Sequence, residues 1–350
     1  MNPVRLAVVG AGAIGARHIE EIVANPDAAL CAIVDVSAAA ATLAQQANVS
    51  LYATLDALLA RERPDGILIA TPNALHAPQA LQCIAAGIAT FVEKPIAHTI
   101  ADAVAICDAA ERANVPLLVG HHRLHGPIVK TAVDIVASGA LGRIVGVIGS
   151  AVFYKPDAYF DEAAWRRAPG GGPILINMIH EVASLRRIVG EIAAVQAFAS
   201  NAARHFAVED TVSIALRFVN GSLGTFLLSD TGASAKSWEQ TSQENKAYAA
   251  YPNEDCYTVI GTEGSLGVPT MRVQRYASRD ERSWFRPFAA THAIPIERRD
   301  PLALQIAHFV SVIRGEATPL VSARDGLQNL LVVDAIAKAA RSGRAVDIVF

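Results

Sequence analysis

Long hydrophobic runs are missing from this chain of 350 residues, although 52% of it is apolar. No segment approaches the ~20 apolar residues that a spanning helix needs. Ile144 to Tyr154, closed off by Arg143 and Lys155, is too short, so no membrane role is expected. A surplus of one charge is missing as well. Net charge is −3 with acids and bases interspersed, which excludes the basic stripe of a nucleic-acid binder and a basic membrane-surface helix. Cysteine is scarce: the four present (Cys31, Cys83, Cys107, Cys256) form no C-x-x-C and read as free thiols of a reducing compartment. The first residues run straight into a strand, without a signal peptide's charged start and small-residue cleavage site. A cytoplasmic location is the expectation.

What is there suits two domains of ordinary size. From residue 4 to about 120, short apolar runs (Val4–Val9, Leu30–Val34, Gly66–Ala70, Ala89–Val92, Leu117–Val119) alternate with helical patterns (Ile14–Val23, Ala38–Ala47, Leu75–Ala86, Thr99–Ala113). Such alternation predicts right-handed crossovers and a parallel, doubly wound α/β sheet over residues 1–122. After His121 the pattern changes. Ile144–Phe153 reads as a longer strand and Leu175–Val189 as a helix closed by Gly190. Thr211–Phe218 and Ser222–Ser229 flank Asn220-Gly221, a strong hairpin signal, and a second hairpin is expected around Gly261–Gly264. Residues 123–350 are thus expected to form an α+β domain with a mostly antiparallel sheet. Residues 230–256 read as an exposed loop or lid, and Leu304–Ile313 and Leu327–Ala340 as closing helices.

Gly10-Ala11-Gly12-Ala13-Ile14-Gly15 follows a strand and opens a helix. The first glycine permits the tight turn, the second lets backbone approach a pyrophosphate, and the third lets helix and strand pack closely. Asp35 ends the second strand and can accept from both adenosine ribose hydroxyls while repelling a 2′-phosphate. Val36 and Ser37 offer no cation to hold that phosphate, so NAD is favoured over NADP. Two further loops leave strand ends, where ligands of open α/β sheets bind. One is Thr71-Pro72-Asn73 with His76 close behind; the other is Glu93-Lys94-Pro95. His76 alone reads as a capping or packing histidine, whereas a Glu-Lys pair at a buried strand end calls for a reason.

Together these residues resemble the glucose-fructose oxidoreductase / inositol dehydrogenase / MocA (Gfo/Idh/MocA) family. The likeness runs through the fingerprint, A-T-P-N-x-x-H, E-K-P, V-G-H-H-R, Trp165-Arg166 with Gly170–Gly172, the helix bearing His180, and G-T-E-G-S-L. The run from Tyr154 to Glu181 is most similar to quinate-utilisation oxidoreductases. The resemblance implies that Lys94 lies between nicotinamide and substrate, that Pro95 follows a cis bond, and that an open-faced second sheet builds homodimers or homotetramers. One departure stands out. The carboxylates that many members carry four residues before and three after the active-site histidine are here Ile176 and Ala183. Asn177 can share the face of His180, whereas the adjacent Glu181 points elsewhere.

A secondary alcohol loses a hydride and a proton together. Histidine suits the proton near neutrality, and a lysine charge stabilises developing alkoxide. The expectation is therefore His180 as general acid/base with Lys94 as electrostatic partner, the reverse assignment remaining open. Arg123, Tyr154, Trp165, Arg166 and Asn177 are the candidates to line the substrate cleft, with Arg123 or Arg166 able to pair with a carboxylate. His121, His122 and His125 have no Cys or carboxylate at ligand spacing, so no metal is expected. The expected activity is an NAD-dependent dehydrogenase of a polyhydroxylated ring: a cyclitol, a sugar or a quinate-like acid. A non-redox lyase or glycosidase with tightly held NAD, and a catalytically silent sensor, are the alternatives.

Overall fold

The structure, a computed structural model, describes residues 2–349. The chain divides into two compact units. One runs as far as His125 and takes in Asp300–Leu330; the other comprises Gly126–Arg299 and the residues from Leu331 on. The sequence reading put a single boundary after residue 122. The structure instead threads the first unit from two separated stretches.

In the first unit the elements follow in the order β1 (Val4–Val9), α1 (Ala13–Ala24), β2 (Ala28–Val34), α2 (Ala38–Ala47), β3 (Ser50–Tyr52), α3 (Leu55–Leu59), β4 (Gly66–Ile69), α4 (Asn73–Ala85), β5 (Ala89–Glu93), α5 (Ile100–Ala113) and β6 (Leu117–Gly120). All strand pairs are parallel and the sheet order is β3-β2-β1-β4-β5-β6. That order reverses direction between β1 and β4, and the crevice outside the strand ends at such a switch is where ligands bind. The central strands are buried throughout and, apart from Thr90 and Glu93 on β5, apolar, because helices cover both faces. Residues that end helices do so by known means. Asn48 and Asn114 take the left-handed conformation just past α2 and α5, returning N–H groups to the last turn.

The second unit begins with α6 (Pro127–Ala137), β7 (Ile144–Val152) and α7 (Asp157–Asp161). A π-helical turn, Ile174–Met178, runs directly into α8 (Ile179–Val189), so the single helix read over Leu175–Val189 has two geometries. Then come β8 (Ile192–Ser200), β9 (Thr211–Phe218), β10 (Leu223–Ser229), α9 (Trp238–Thr241), β11 (Tyr257–Gly261), β12 (Gly264–Val268), β13 (Arg272–Arg275) and β14 (Ala290–Ala293). The sheet has nine strands in the order β14-β13-β12-β11-β7-β10-β9-β8-β15, where β15 is Val346–Asp347. Only the β7–β10 pair is parallel. Strict alternation of buried and exposed residues along β9 packs Val212, Ile214, Leu216 and Phe218 inward. The other face stays open and carries Ile148, Phe198, Leu223 and Leu227.

The expected loop over residues 230–256 is only partly one. Ser237, Trp238, Thr241 and Ser242 are buried, the Trp238 indole N–H donates to Glu244 Oε2 at 2.8 Å, and the continuous exposed stretch is 245–253. The closing helices are α10 (Pro301–Ile313) and α11 (Ala323–Ser342). α10 completes the core of the first unit. Phe309 meets Phe91 edge-on at 5.8 Å, and a Cβ on Gly66 would sit 2.6 Å from the end of Ile313. Burying a side chain of that size contributes about 1.5–3 kcal/mol. No described helix is long and apolar enough to cross a membrane.

Candidate active site

The glycine-rich turn leaves β1 with each glycine under a different constraint. Gly10 has φ +89°, and a Cβ there would sit 2.8 Å from the Ala70 backbone. A Cβ on Gly15 would fall 1.9 Å from Gly10 O, so only glycine lets α1 pack on the turn. A Cβ on Gly12 would meet nothing within 4 Å: the surface there is open. Gly12 caps α1 without a side-chain hydrogen bond, leaving the N–H groups of the first turn, from Ala13 and Ile14 onward, to an anion.

Asp35 directly follows β2 and is held by backbone. Its Oδ2 accepts from Ala11 N–H and its Oδ1 from Ser37 N–H, each at 2.7 Å. Burial works to raise the Asp35 carboxyl, but the N–H groups of Ala11, Ser37 and Val36 outweigh it and keep the carboxyl below its ordinary value. Val36 is exposed beside it. An open glycine, an unsatisfied helix start and an ionised acid on one strand-end edge fit a dinucleotide.

The two other strand-end loops are braced from behind. His76, buried on α4, places Nε2 2.8 Å from Thr71 O and Nδ1 2.8 Å from Pro95 O. It thereby ties the loop of Thr71, Pro72 and Asn73 to the loop of Lys94. The Lys94-Pro95 bond is cis. Glu93 is buried too. Its Oε1 lies 2.8 Å from His18 Nε2 and its Oε2 accepts from Lys94 N–H at 3.0 Å. Gly120, opposite Glu93 on β6, leaves the room: a Cβ there would lie 2.8 Å from Glu93 Oε1. The Glu93 and His76 side chains, read from sequence as part of the cofactor set, are thus engaged within the protein, Glu93 with His18 and the Lys94 N–H and His76 with two loop carbonyls.

The histidines after β6 are likewise engaged. His121 Nε2 lies 3.1 Å from the Asn329 amide. Burial, with the Arg123 and Lys94 charges, holds His122 well below the ordinary imidazole range. Burial, then His308, pushes His125 down to about 3. Among the described residues no three His, Cys, Asp or Glu side chains gather to hold a metal. Arg123 is buried in the short 3-10 turn His122–His125.

In the second unit the π turn carries Asn177, and His180 lies half-buried in the first turn of α8. π turns of this kind recur at functional sites. Lys155 Nζ donates to Asn177 Oδ1 at 2.8 Å and pairs with Asp230 at 3.3 Å. Arg204 completes the cluster. It lies 3.4 Å from Asp230 Oδ1, donates to the Lys155 and Asp230 carbonyls, and stacks on Phe160 and Tyr154. Burial pulls Lys155 below the usual lysine range and lifts Asp230 above the usual aspartate range, and their attraction offsets this only in part. Lys155, Asp230 and Arg204 were not singled out from sequence. Glu181, by contrast, turns away as its position implied: it is buried and accepts the Tyr257 hydroxyl. Arg166 stacks on Tyr159 at 3.9 Å and pairs with Glu162 at 2.9 Å, while Tyr154 and Trp165 are largely exposed.

Known proteins match along most of this length. Residues 4–121 match the family model described as the Gfo/Idh/MocA oxidoreductase family, NAD-binding Rossmann fold, and residues 129–267 match the model of the GFO/IDH/MocA C-terminal domain. The 1,5-anhydro-D-fructose reductase of Ensifer adhaerens is 28% identical over 286 residues, covering 81% of this chain and 80% of that protein. Inositol 2-dehydrogenase of Rhizobium meliloti (strain 1021) is 24% identical over 348 residues, 99% of each. In fold, the chain is similar to the WlbA dehydrogenase from Bordetella pertussis, solved with NADH and UDP-GlcNAcA (TM-score 0.79, 24% identity, all of both chains). The chain belongs to the Gfo/Idh/MocA family and is an oxidoreductase with an NAD-binding Rossmann domain.

Proposed function

We propose that this Gfo/Idh/MocA oxidoreductase oxidises a secondary alcohol, or reduces the matching ketone, on a polyhydroxylated ring: a cyclitol, a sugar or a quinate-like acid. The observation that carries the reading is the grouping of Gly12, Asp35 and Lys94 at the carboxyl ends of β1, β2 and β5. That edge joins a dinucleotide cradle to a lysine. The names of the relatives, an anhydrofructose reductase and an inositol dehydrogenase among them, support the substrate class.

NAD rather than NADP is the cofactor in this reading. Asp35 is ionised and held toward the turn, and exposed Val36 offers nothing to a phosphate. Gly10, Gly12, Gly15 and the start of α1 would hold the pyrophosphate, Asp35 the ribose, and the loops of Thr71–Asn73 and Lys94 the nicotinamide end. Bound NAD supplies a hydride acceptor. His180 takes the hydroxyl proton as the carbon–hydrogen bond breaks, and the Lys94 ammonium stabilises charge growing on that oxygen. Asn177 orients the ring. Because Lys155 can only donate, it holds the amide oxygen and leaves the amide N–H groups for a substrate oxygen. The open apolar face of the second sheet pairs with a second copy of the chain.

The test mixes the protein with NAD and a panel of inositols, aldoses, quinate and shikimate, reading the absorbance of reduced nicotinamide. Reduction with one class is the expected result. Silence across the panel with NAD binding intact would remove the dehydrogenase reading in favour of a non-redox use of NAD. Sedimentation in solution checks the pairing, and a monomer would remove it.

A further inference from the structure

Lys94 is held from both sides of its own backbone by buried histidines on two different helices. On the amino side, its N–H is bound by Glu93 Oε2, and the other oxygen of that carboxylate is bound by His18 Nε2 on α1. On the carboxyl side, the carbonyl of Pro95 lies against His76 Nδ1 on α4. His18 is fully buried, its ring edge-on to Phe91 at 5.1 Å, and its Nδ1 meets no hydrogen-bond partner. The bond to Glu93 is therefore what orients it. Both helices are those that open at ligand-facing loops: α1 follows the glycine-rich turn, and α4 follows Thr71-Pro72.

We infer that His18, Glu93 and His76 are positioning residues that set the Lys94 ammonium for turnover, a role that rests on the assignment of Lys94 above. A carboxylate is suited to the central place because it has two accepting oxygens, one for each neighbour. Gln at 93 keeps a single accepting oxygen and could hold both neighbours only with His18 in the tautomer that accepts from the amide, whereas Leu at 93 holds neither. A displacement of about 1 Å at a reacting group can cost ~100-fold in rate. The clamp thus acts on turnover, and it makes lysine placement depend on the helices that receive the cofactor.

The two histidines use different nitrogens, which gives a crossed test. A Gln amide nitrogen lies as many bonds from Cβ as Nε2, and an Asn amide nitrogen as many as Nδ1. His18→Gln is expected to keep kcat within about fivefold while His18→Asn loses tenfold or more. At His76 the order reverses for the bond to Pro95: Asn retains turnover and Gln loses it. Glu93→Leu, which can accept from neither neighbour, loses tenfold or more in kcat, with KM for NAD little changed. Hydrogen exchange of the 93–95 peptide follows the same crossed order and needs no substrate. Equal losses for Asn and Gln at each position would overturn the inference, because general damage to packing does not distinguish the two nitrogens. Lys94→Ala is the control. If that variant turns over normally the role of Lys94 itself falls; if it is inactive and the crossed order is absent, only the clamp falls.

Discussion

The two units of this chain encode their candidate residues in opposite ways. In the first, the cofactor edge is made by short contiguous stretches, the glycine-rich turn above all, and most contacts are with backbone. In the second, the polar cluster is gathered from distant places: Lys155 beyond β7, Asn177 in the π turn, Arg204 before β9 and Asp230 beyond β10. A site written in backbone tolerates few residue types and repeats the same local pattern wherever it occurs. A site written in side chains can be rebuilt from many positions. That difference accords with a first unit that matches a family-wide NAD-binding model while relatives sharing about a quarter of the chain's residues carry names that specify different substrates.

The comparison can be broken most severely by removing one group from each unit. Lys94→Ala and His180→Ala are each expected to lower turnover by about 10²–10⁴-fold while reduced-nicotinamide fluorescence still reports binding. Near-normal turnover in either variant would sink that residue's role. A sharper contrast lies within the turn itself. Gly15→Ala must displace backbone, so a loss of several kcal/mol in calorimetry is expected together with loss of NAD affinity. Gly12→Ala meets no protein atom and should melt like the parent while binding NAD at least tenfold more weakly. Equal melting losses for both would contradict the geometry.

In the second unit Tyr257→Phe leaves the buried Glu181 carboxylate without its hydroxyl donor. Denaturant titration should register a cost of about 1.5–3 kcal/mol, with kcat within a few-fold, separating this acid from the chemistry. The smallest effect concerns pH. Asp35 is held below its ordinary value in the folded chain, so its stabilising contribution is complete above the unfolded value of about 3.9 and disappears as pH falls through the lower folded value. The stability gap between the parent and Asp35→Asn should be flat above about pH 5 and narrow below about pH 4. A gap that widened in acid would reverse the sign.

The sequence disclosed what local chemistry dictates. The parallel alternation, the fingerprint with Asp35 and the hairpin at Asn220-Gly221 were all legible, while the cis bond before Pro95 came only from the family resemblance. The three-residue β3 is too short to show a period. Ser237–Ser242 misled because its polar side chains are satisfied internally: Ser237 Oγ accepts from Gln240 N–H and the Thr241 hydroxyl donates to Ser237 O, so a polar stretch is buried. The Lys155–Asp230–Arg204 cluster escaped because no spacing along the chain records a meeting of residues 26 to 75 positions apart.

The return of Asp300–Leu330 to the first unit sets an order of events during synthesis. The stretch that carries the fingerprint emerges from the ribosome early, yet the helix that covers Gly66 and Phe91 is made about 200 residues later. Until then a nascent sheet displays an apolar strip where Phe309 and Ile313 will lie, the kind of surface that recruits chaperones or sticks to its neighbours. Completion of the first unit's core is thereby tied to translation of nearly the whole chain. A polypeptide that stops at the last parallel strand lacks the side chains of Phe309 and Ile313 that cover Phe91 and Gly66.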